Sequence, residues 1–246
     1  MIARIKRMLY RSLSLESYLR LLQRSYFFMY RTGMLKGKPE YAHHYFVRKL
    51  IKKGDTVIDI GANLGYYSIL FSDWVGKGGR VYSVEPIELY NKVFMKKARR
   101  RRNITLIPYA LGDEEKEVAL VTSPQSGYLN TGLPHVYDPK RDGGMEQQEF
   151  AFRAQMRVPS RLFADIGKID YVKCDIEGFE WFVLSDMKEL IRQHRPIVQV
   201  EIWDDNLESL TAMFSSLGYT ANRLVDKRLL PAAEHPEAFG DYIFTP

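Results

Sequence analysis

The chain has 246 residues, of which 46% are hydrophobic and 27% are charged, so it can bury a sizeable core and is not a disordered protein. Its single cysteine, Cys174, excludes an internal disulfide framework and suits a reducing compartment. Charges interrupt the basic N-terminus, and no stretch reaches the roughly 20 consecutive apolar residues of a transmembrane helix. We therefore expect neither a signal peptide nor a membrane span, and we predict a cytoplasmic protein.

The N-terminal extension, residues 1–38, is strongly basic. It holds nine Lys and Arg residues against one acid, a net charge of +8, whereas the whole chain carries +6 and residues 39–246 therefore carry −2. Apolar residues at helical spacing, such as Ile5, Leu9 and Leu13, predict two short amphipathic helices. A basic, apolar-rich arm favours contact with the anionic inner surface of a membrane or with a protein partner. The acidic balance of residues 39–246 argues against nucleic acid as a partner.

Residues 39–246 form one domain in which short strands alternate with helices. In chain order we predict helix 40–52, strand 56–60, helix 64–74, strand 80–84, helix 87–102, strand 104–108, then strand 170–174, helix 179–194, strand 197–201, helix 207–217 and strands 219–224 and 241–245. This alternation predicts an α/β, Rossmann-like, mostly parallel sheet with helices on both faces. A ligand is expected at the carboxyl ends of its strands.

An inserted region, about residues 113–160, interrupts the alternation with two strands, over 117–122 and 150–158, around a polar loop. Loops carried by a rigid sheet usually set specificity, so we expect this insert to recognise a substrate. An ordinary polar loop is the alternative. The candidate substrate-binding residues are Tyr128, Asn130, Thr131 and His135.

The loop after the first strand runs from Asp59 to Gly65 and leads into a helix. Glycines in such a loop let a ligand approach the backbone closely, as in nucleotide-binding folds. A dinucleotide site usually has a third glycine, which is absent, and the Asp59 carboxylate would repel a pyrophosphate. The same carboxylate suits the ammonium and sulfonium of S-adenosylmethionine. Glu85, at the end of the second strand, is placed to accept ribose hydroxyls of either ligand.

Four segments follow one another in consistent order: 59–68 (DIGANLGYYS), 84–86 (VEP), 110–113 (ALGD) and 171–180 (YVKCDIEGFE). With these segments, about residues 40–245 resemble the FkbM family of class I methyltransferases. The resemblance implies a seven-stranded sheet whose last strand is antiparallel, S-adenosylmethionine as cofactor with S-adenosylhomocysteine as product, and O-methylation of a small molecule or glycan. By matching positions, it assigns Asp59, Gly61, Asn63 and Gly65 to the methionine portion, Glu85 to the ribose, and Ala110 and Leu111, at the end of strand three, to the adenine. Ala62 and Pro86 are further cofactor-binding candidates.

The chemistry is expected at the end of strand four, where Lys173 and Asp175 project to the same side. A hydroxyl acceptor must lose a proton, so we interpret Asp175 as the base or the group that orients it, and Lys173 as its electrostatic partner. Glu177 follows as a further substrate-binding candidate. The alternative is that Lys173 and Asp175 form an ion pair that only braces the strand end.

Several alternatives stay open. Glu201 and the acids after it could join the end of strand four in binding Mg²⁺, although nothing beyond an acid-rich loop supports a metal. A nicotinamide-dependent oxidoreductase could use the same fold, but the missing glycine and Asp59 argue against it. The chain could also be a non-catalytic membrane or nucleic-acid binding module with a basic arm. A methyltransferase acting on RNA 2′-hydroxyls through Lys173 and Asp175 is a further possibility.

Overall fold

The computed structural model describes residues 2–122, 127–202, 204–235 and 240–246, and these form two β-sheets and surrounding helices. The strands are β1 (Thr56–Ile60), β2 (Arg80–Val84), β3 (Ile104–Ile107), β4 (Ala110–Leu111), β5 (Lys116–Thr122), β6 (His135–Val136), β7 (Phe150–Arg157), β8 (Tyr171–Cys174), β9 (Ile197–Ile202), β10 (Thr220–Val225), β11 (Arg228–Pro231) and β12 (Gly240–Thr245). The helices are α1 (Ile2–Ser12), α2 (Leu15–Arg31), α3 (Ala42–Phe46), α4 (Tyr66–Val75), α5 (Glu88–Ala98), α6 (Pro139–Asp142), α7 (Pro159–Leu162), α8 (Glu180–Asp186), α9 (Lys188–His194) and α10 (Asp204–Ser216). No helix in the described ranges is both long enough and apolar enough to cross a membrane.

The main sheet has the strand order β11-β10-β12-β9-β8-β1-β2-β3. The five strands from β9 to β3 are parallel, and β12 joins β9 antiparallel. The predicted Rossmann-like α/β fold is confirmed, with one correction: the main sheet has eight strands, not seven. The extra strand is β11, which pairs with β10 across a tight turn in which Asp226 and Lys227 both have positive φ.

Both faces of the main sheet are covered by helices because strand side chains alternate in direction. Val57 of β1 packs with residues of α2, α4 and α5 on one face, whereas its neighbour Ile58 packs with α8, α9 and α10 on the other. On the α4 face three adjacent strands carry buried polar residues instead of aliphatic ones: Asp59, Lys173 and Gln199 lie side by side in register. Buried charges need partners, and these strands supply them across the ladder.

The inserted region folds as a second sheet with the order β4-β7-β5-β6. The two strands predicted in it are present as β5 and β7, which pair antiparallel along their length. Ala110 and Leu111 do not lie at the end of strand three as expected. β3 ends at Ile107, and the chain then crosses to the second sheet, where Ala110 and Leu111 pair with β7.

The N-terminal extension packs against the rest of the domain through one side of α2. Tyr18, Leu19 and Phe27 are buried there, and the Gln23 side chain donates to the Leu64 carbonyl oxygen at 2.7 Å. These contacts fix α2 beside the first residues of α4.

The single helix predicted over 40–52 is instead the short helix α3 between two 3₁₀ turns. Its aromatic residues turn towards α2, where Tyr45 stacks on Tyr30 with ring centroids 4.4 Å apart, and His44 hydrogen-bonds the Tyr26 hydroxyl. Tertiary packing of these rings therefore overrides the local helical pattern.

Candidate active site

A cleft opens at the carboxyl ends of β1, β2 and β8, beneath the inserted sheet. Its position is the one that open parallel sheets use for ligands. Most of the predicted site residues form its wall, namely Gly61, Ala62, Asn63, Glu85, Pro86, Ala110, Leu111, Thr131, Lys173, Asp175 and Glu177. The described residues of the wall do not include Asp59, Gly65, Tyr128, Asn130 or His135.

The loop after β1 is held against its neighbours by the backbone. The N–H groups of Gly61 and Ala62 both donate to the Val84 carbonyl oxygen, at 3.1 and 2.9 Å. Gly61 has φ +81°, and a Cβ at this position would overlap the carbonyl oxygen of Asp175. The glycine thus allows the loop after β1 and the end of β8 to touch, which brings the two halves of the predicted site together.

We expect Gly61→Ala to destabilise the protein by about 1–3 kcal/mol, because the methyl group forces these two loops apart. Binding of S-adenosylhomocysteine should weaken as well. Gly33→Ala is the matched control, since Gly33 also has a positive φ but has open space around it. Thermal unfolding of both variants separates the effect of the contact with Asp175 from the effect of the positive φ. Equal losses of stability in the two variants would contradict the importance of this contact.

Glu85 is 4% exposed, and both of its carboxylate oxygens face the loop backbone. Oε2 accepts the Asn63 N–H and Oε1 accepts the Ile87 N–H, each at 2.8 Å. Burial raises the pKa of Glu85 to about 7, against the opposing effect of these two hydrogen bonds. Each oxygen keeps lone pairs for a further donor, which is what a ribose diol would offer.

Tyr90, in the first turn of α5, also lines the cleft, and its hydroxyl has no hydrogen-bond partner among the described residues. The side chain is 1% exposed, and burial together with the nearby Glu85 raises the pKa of its hydroxyl. A buried hydroxyl that faces a cleft without a partner is typical of a group completed by a ligand. No sequence pattern indicates Tyr90 as a site residue. Its position, in the first helical turn after the loop that holds Glu85, is the feature from which it could be predicted.

Asp59 and Gly65 lie behind the cleft wall. Asp59 is fully buried and accepts a hydrogen bond from the Ser68 hydroxyl, and burial raises the pKa of its carboxyl although Lys173 opposes this. A Cβ at Gly65 would overlap the ring of Phe94, so this glycine permits close packing of α4 on α5. Neither residue is part of the cleft wall, and their cofactor role stays a prediction.

The insert contacts the loop after β1 where the Asn63 side-chain amide donates to the Thr131 carbonyl oxygen at 2.7 Å. The other predicted substrate residues of the insert have partners elsewhere. Lys6 of α1 lies over the Tyr128 ring at 5.5 Å, and Asn130 accepts a bond from the Gly132 N–H within its own turn. His135 pairs with Asp142 at 2.8 Å.

An acidic cluster surrounds Lys173 at the end of the cleft. Its Nζ lies 2.7 Å from Asp175 Oδ2 and over the Tyr67 ring. The side chain of Asp175 is one-third exposed and faces the cleft. Burial would lower the pKa of Lys173, but Asp175 and Asp59 outweigh it and raise the pKa. The lysine is therefore a fixed positive charge.

Asp175 and Glu201 share a hydrogen bond because β8 and β9 are adjacent parallel strands. Burial and the neighbouring Asp175 raise the pKa of Glu201 to about 8, so Glu201 holds a proton near neutrality. Burial opposes ionisation of Asp175 too, but the Lys173 ammonium lowers its pKa. Burial and Asp175 also raise the pKa of Glu177 to about 7.

Asp175, Glu177 and Glu201 can each place one carboxylate oxygen within 4.8 Å of the others. Three such oxygens are compatible with a divalent cation. However, Asp175 already forms an ion pair with Lys173 and a hydrogen bond with Glu201. The protein itself therefore provides partners for the Asp175 carboxylate. The possibility of a metal rests on this geometry alone.

His44 contributes a neutral ring to the same end of the cleft. Burial, with Lys173 close by, lowers the pKa of His44 to about 3. Its ring centroid lies 4.1 Å from that of Tyr67, and its Nδ1 is engaged with the Tyr26 hydroxyl. His44 thus links α2 to the cleft wall.

The mostly parallel sheet, the glycine loop and the acidic end of the cleft together define a Rossmann-like α/β protein with a nucleoside-type ligand site. The family model described as the methyltransferase FkbM domain matches residues 59–220, about two-thirds of the chain. The chain therefore belongs to the FkbM family of S-adenosylmethionine-dependent methyltransferases, which confirms the resemblance in its sequence.

One solved structure agrees on the fold, and others are less similar to this chain. Methyltransferase FkbM from Methylobacillus flagellatus KT has a TM-score of 0.53 and 18% identity, covering 99% of this chain, which spans 58% of that one. Fibrillarin from Aeropyrum pernix, solved with bound S-adenosyl-L-methionine, has a TM-score of 0.45 and 15% identity, covering 80% of this chain and 68% of that one. An O-methyltransferase from Thermotoga maritima has a TM-score of 0.45 and 13% identity, covering 84% of this chain and 64% of that one. The curated proteins gave no match.

Proposed function

We propose that the protein transfers a methyl group to a hydroxyl of a small molecule or glycan in the cytoplasm. The observation that supports this most directly is the carboxylate cluster of Asp175, Glu177 and Glu201 beside the fixed charge of Lys173. A hydroxyl nucleophile must lose its proton during the reaction, and the carboxylate of Asp175, whose pKa the Lys173 ammonium lowers, is ionised at neutral pH and can accept that proton.

The residues of the cleft fit S-adenosylmethionine, which supplies the methyl group as an activated sulfonium when it is bound. Glu85 retains lone pairs for hydroxyl donors, and the unpartnered Tyr90 hydroxyl lies beside it. Ala110 and Leu111 give an apolar wall suited to the adenine. The acids at the other end of the cleft complement positive charge. We assign Gly61, Ala62 and Asn63 to the methionine portion, and Asp59 and Gly65 to support from beneath.

Within the cluster, Asp175 is the group best placed to receive the acceptor hydroxyl. It faces the cleft as an ionised carboxylate, and Lys173 fixes its orientation from the buried side. Glu201 donates its proton to Asp175 in a hydrogen bond, which weakens the basicity of Asp175 until Glu201 itself ionises. We propose Thr131 and Glu177, which also line the cleft, as further contacts of the acceptor.

Tyr90→Phe should weaken binding of S-adenosylhomocysteine by about 0.5–1.5 kcal/mol, the usual net contribution of one hydrogen bond. The free energy of unfolding should stay the same or rise, because the change removes a buried hydroxyl that has no partner in the part of the chain that the structure describes. Tyr18→Phe is the matched control: its hydroxyl is likewise buried and unpartnered, but it lies outside the cleft wall. Calorimetric titration that found equal affinities in the two variants would remove Tyr90 from the site.

Turnover should rise several-fold as the pH increases from about 6 to 9. Glu201, with a pKa of about 8, is protonated below that range and ionised above it, and its ionisation makes the neighbouring Asp175 a stronger base. Glu201→Gln cannot ionise, so its kcat should lose the upper part of this rise. The same pH profile in wild type and variant would show that Glu201 does not control the base.

The function itself is tested by titrating the purified protein with S-adenosylhomocysteine and, separately, with NAD⁺. Binding of the first alone, followed by transfer of labelled methyl to hydroxyl-bearing sugars in a panel that also contains amines, supports the proposal. Transfer to amines only would exclude O-methylation while keeping the cofactor. Binding of NAD⁺ alone would contradict the proposed chemistry as a whole.

A further inference from the structure

Exposed large hydrophobic side chains are concentrated in the N-terminal extension. Among the described residues eight such side chains are exposed, and six of them lie within residues 1–38, the part of the chain that also carries a net charge of +8. Scattered exposed hydrophobics are normal on a protein surface, but a cluster of them among cations is typical of an interaction site. The six are Ile5, Met8, Leu13, Leu21, Phe28 and Met34.

The outer side of α2 shows how these residues are arranged. Leu21, Arg24, Phe28 and Arg31 follow one another at spacings of three and four residues, so they form one stripe along the helix, and all four are exposed. Phe28 is 64% exposed. The stripe thus alternates apolar and basic side chains, as do helices that lie flat in a membrane interface.

The C-terminal end of α5 extends this stripe with further cations. Lys97 lies close enough to Arg24 and Arg31 for their charges to lower its pKa, an effect second to that of burial. Its ammonium also lies 5.4 Å above the ring of Phe27 on α2. The basic run that ends α5 is therefore brought beside the basic extension, although the two are far apart in sequence. Its exposed members are Lys96, Lys97, Arg99, Arg100 and Arg102.

We propose that this basic face binds an anionic phospholipid membrane surface. The basic face consists of Leu21, Arg24, Phe28 and Arg31 of α2 together with residues 96–102. Anionic headgroups match its cations, and the apolar side chains between them can enter the acyl boundary, where they are removed from water. A nucleic-acid backbone would match the cations but would leave Leu21 without an apolar environment.

Docking through this face would hold the cleft near the membrane. The opposite side of α2 meets the cleft wall, since the ring of Tyr26 lies 4.6 Å from that of Tyr66 and its hydroxyl bonds His44. Only the width of one helix, about 10 Å, separates the two sides. The attachment does not depend on the methyl-transfer chemistry, so each can be tested without the other.

The test is sedimentation of the full chain with vesicles of phosphatidylcholine and phosphatidylglycerol, compared with vesicles of phosphatidylcholine alone. Binding is expected only to the anionic vesicles. Each cation near such a surface strengthens binding about fivefold, so Arg24→Glu with Arg31→Glu should weaken it by more than about tenfold. Phe28→Ser, which keeps every charge, should weaken binding several-fold. Far-UV circular dichroism of each variant checks that it is folded.

Lys188→Glu with Arg228→Glu is the matched control, because it makes the same change in charge at two exposed cations outside the basic face. It should retain most of the binding. No binding of the wild type to anionic vesicles would overturn the proposal, as would an equal loss in the control. Tighter binding to single-stranded RNA than to vesicles, measured by fluorescence anisotropy, would assign the face to nucleic acid and overturn it as well.

Discussion

Asp175→Asn should lower turnover by about 10²–10⁴-fold, the range that a positioned general base contributes. The substitution keeps the shape of the side chain but removes its capacity to take a proton. Affinity for S-adenosylhomocysteine should stay nearly unchanged, because the loop after β1 approaches the backbone of Asp175 and not its carboxylate. Single-turnover rates and calorimetry on the same preparation measure both quantities.

A purely structural role of Asp175 predicts a different result. Asparagine would leave the buried Lys173 with Asp59 and Asp241 as anionic neighbours, so some loss of stability is expected in either case. If bracing were the only role, turnover and cofactor binding would fall together as the protein unfolded, and lower temperature would restore both. Asp73→Asn, which breaks the pair with Arg101 at the surface, is the control for loss of an ion pair.

Strand positions were the most predictable part of this fold. Short runs rich in Val and Ile gave β1, β2 and β9 within a residue or two, since a strand buried on both sides needs apolar residues at nearly every position. β11 was missed because it has only four residues and ends in Pro231, and its pairing depends on a two-residue turn formed by Asp226 and Lys227. Such a turn has no glycine to reveal it.

Site residues were predictable where the motif lies on a strand end and not where it lies in the insert. Strand ends have a fixed place in a parallel sheet, so Asp175 and Glu85 could be placed from sequence. The register of β8 on β9 puts Glu201 opposite Asp175, which follows only if the two strands are known to be neighbours. In the insert, the partner of His135 is Asp142, and no spacing rule predicts that pairing.

The sequence could not show how deeply each residue of the motif is buried behind the cleft surface. Asp59 and Lys173 are adjacent in register and both are buried, so each satisfies part of the other's charge beneath the cleft floor. The sequence assigns Asp59 to the cofactor through the charge of its carboxylate and its place in the family motif. Its side chain instead points to the α4 face, where it reaches Ser68. The alternation of side chains along β1 decides which residues of the motif can meet a ligand.

Glu85→Ala should weaken S-adenosylhomocysteine binding by about 1–3 kcal/mol, the scale of losing charge-assisted hydrogen bonds. Part of that loss is indirect, because alanine also leaves the Asn63 and Ile87 N–H groups without their acceptor. Glu85→Gln separates the two effects: it keeps an acceptor oxygen for the loop but cannot carry a negative charge. Calorimetry should rank the affinities as wild type, then the glutamine variant, then the alanine variant.

The pH dependence of binding gives the sharper test. Burial leaves the pKa of Glu85 in the free protein at about 7, and ribose hydroxyls that donate to the carboxylate favour its ionised form, so the pKa falls on binding. Affinity should therefore be greatest above pH 7 and decrease as the pH falls below 7, when a proton must be released before the ligand binds. In Glu85→Gln this decrease should disappear, whereas titration of the ligand itself affects both proteins equally. Parallel affinity profiles between about pH 5.5 and 8.5 would mean that Glu85 is not the ribose acceptor, and that its two backbone bonds are its whole role.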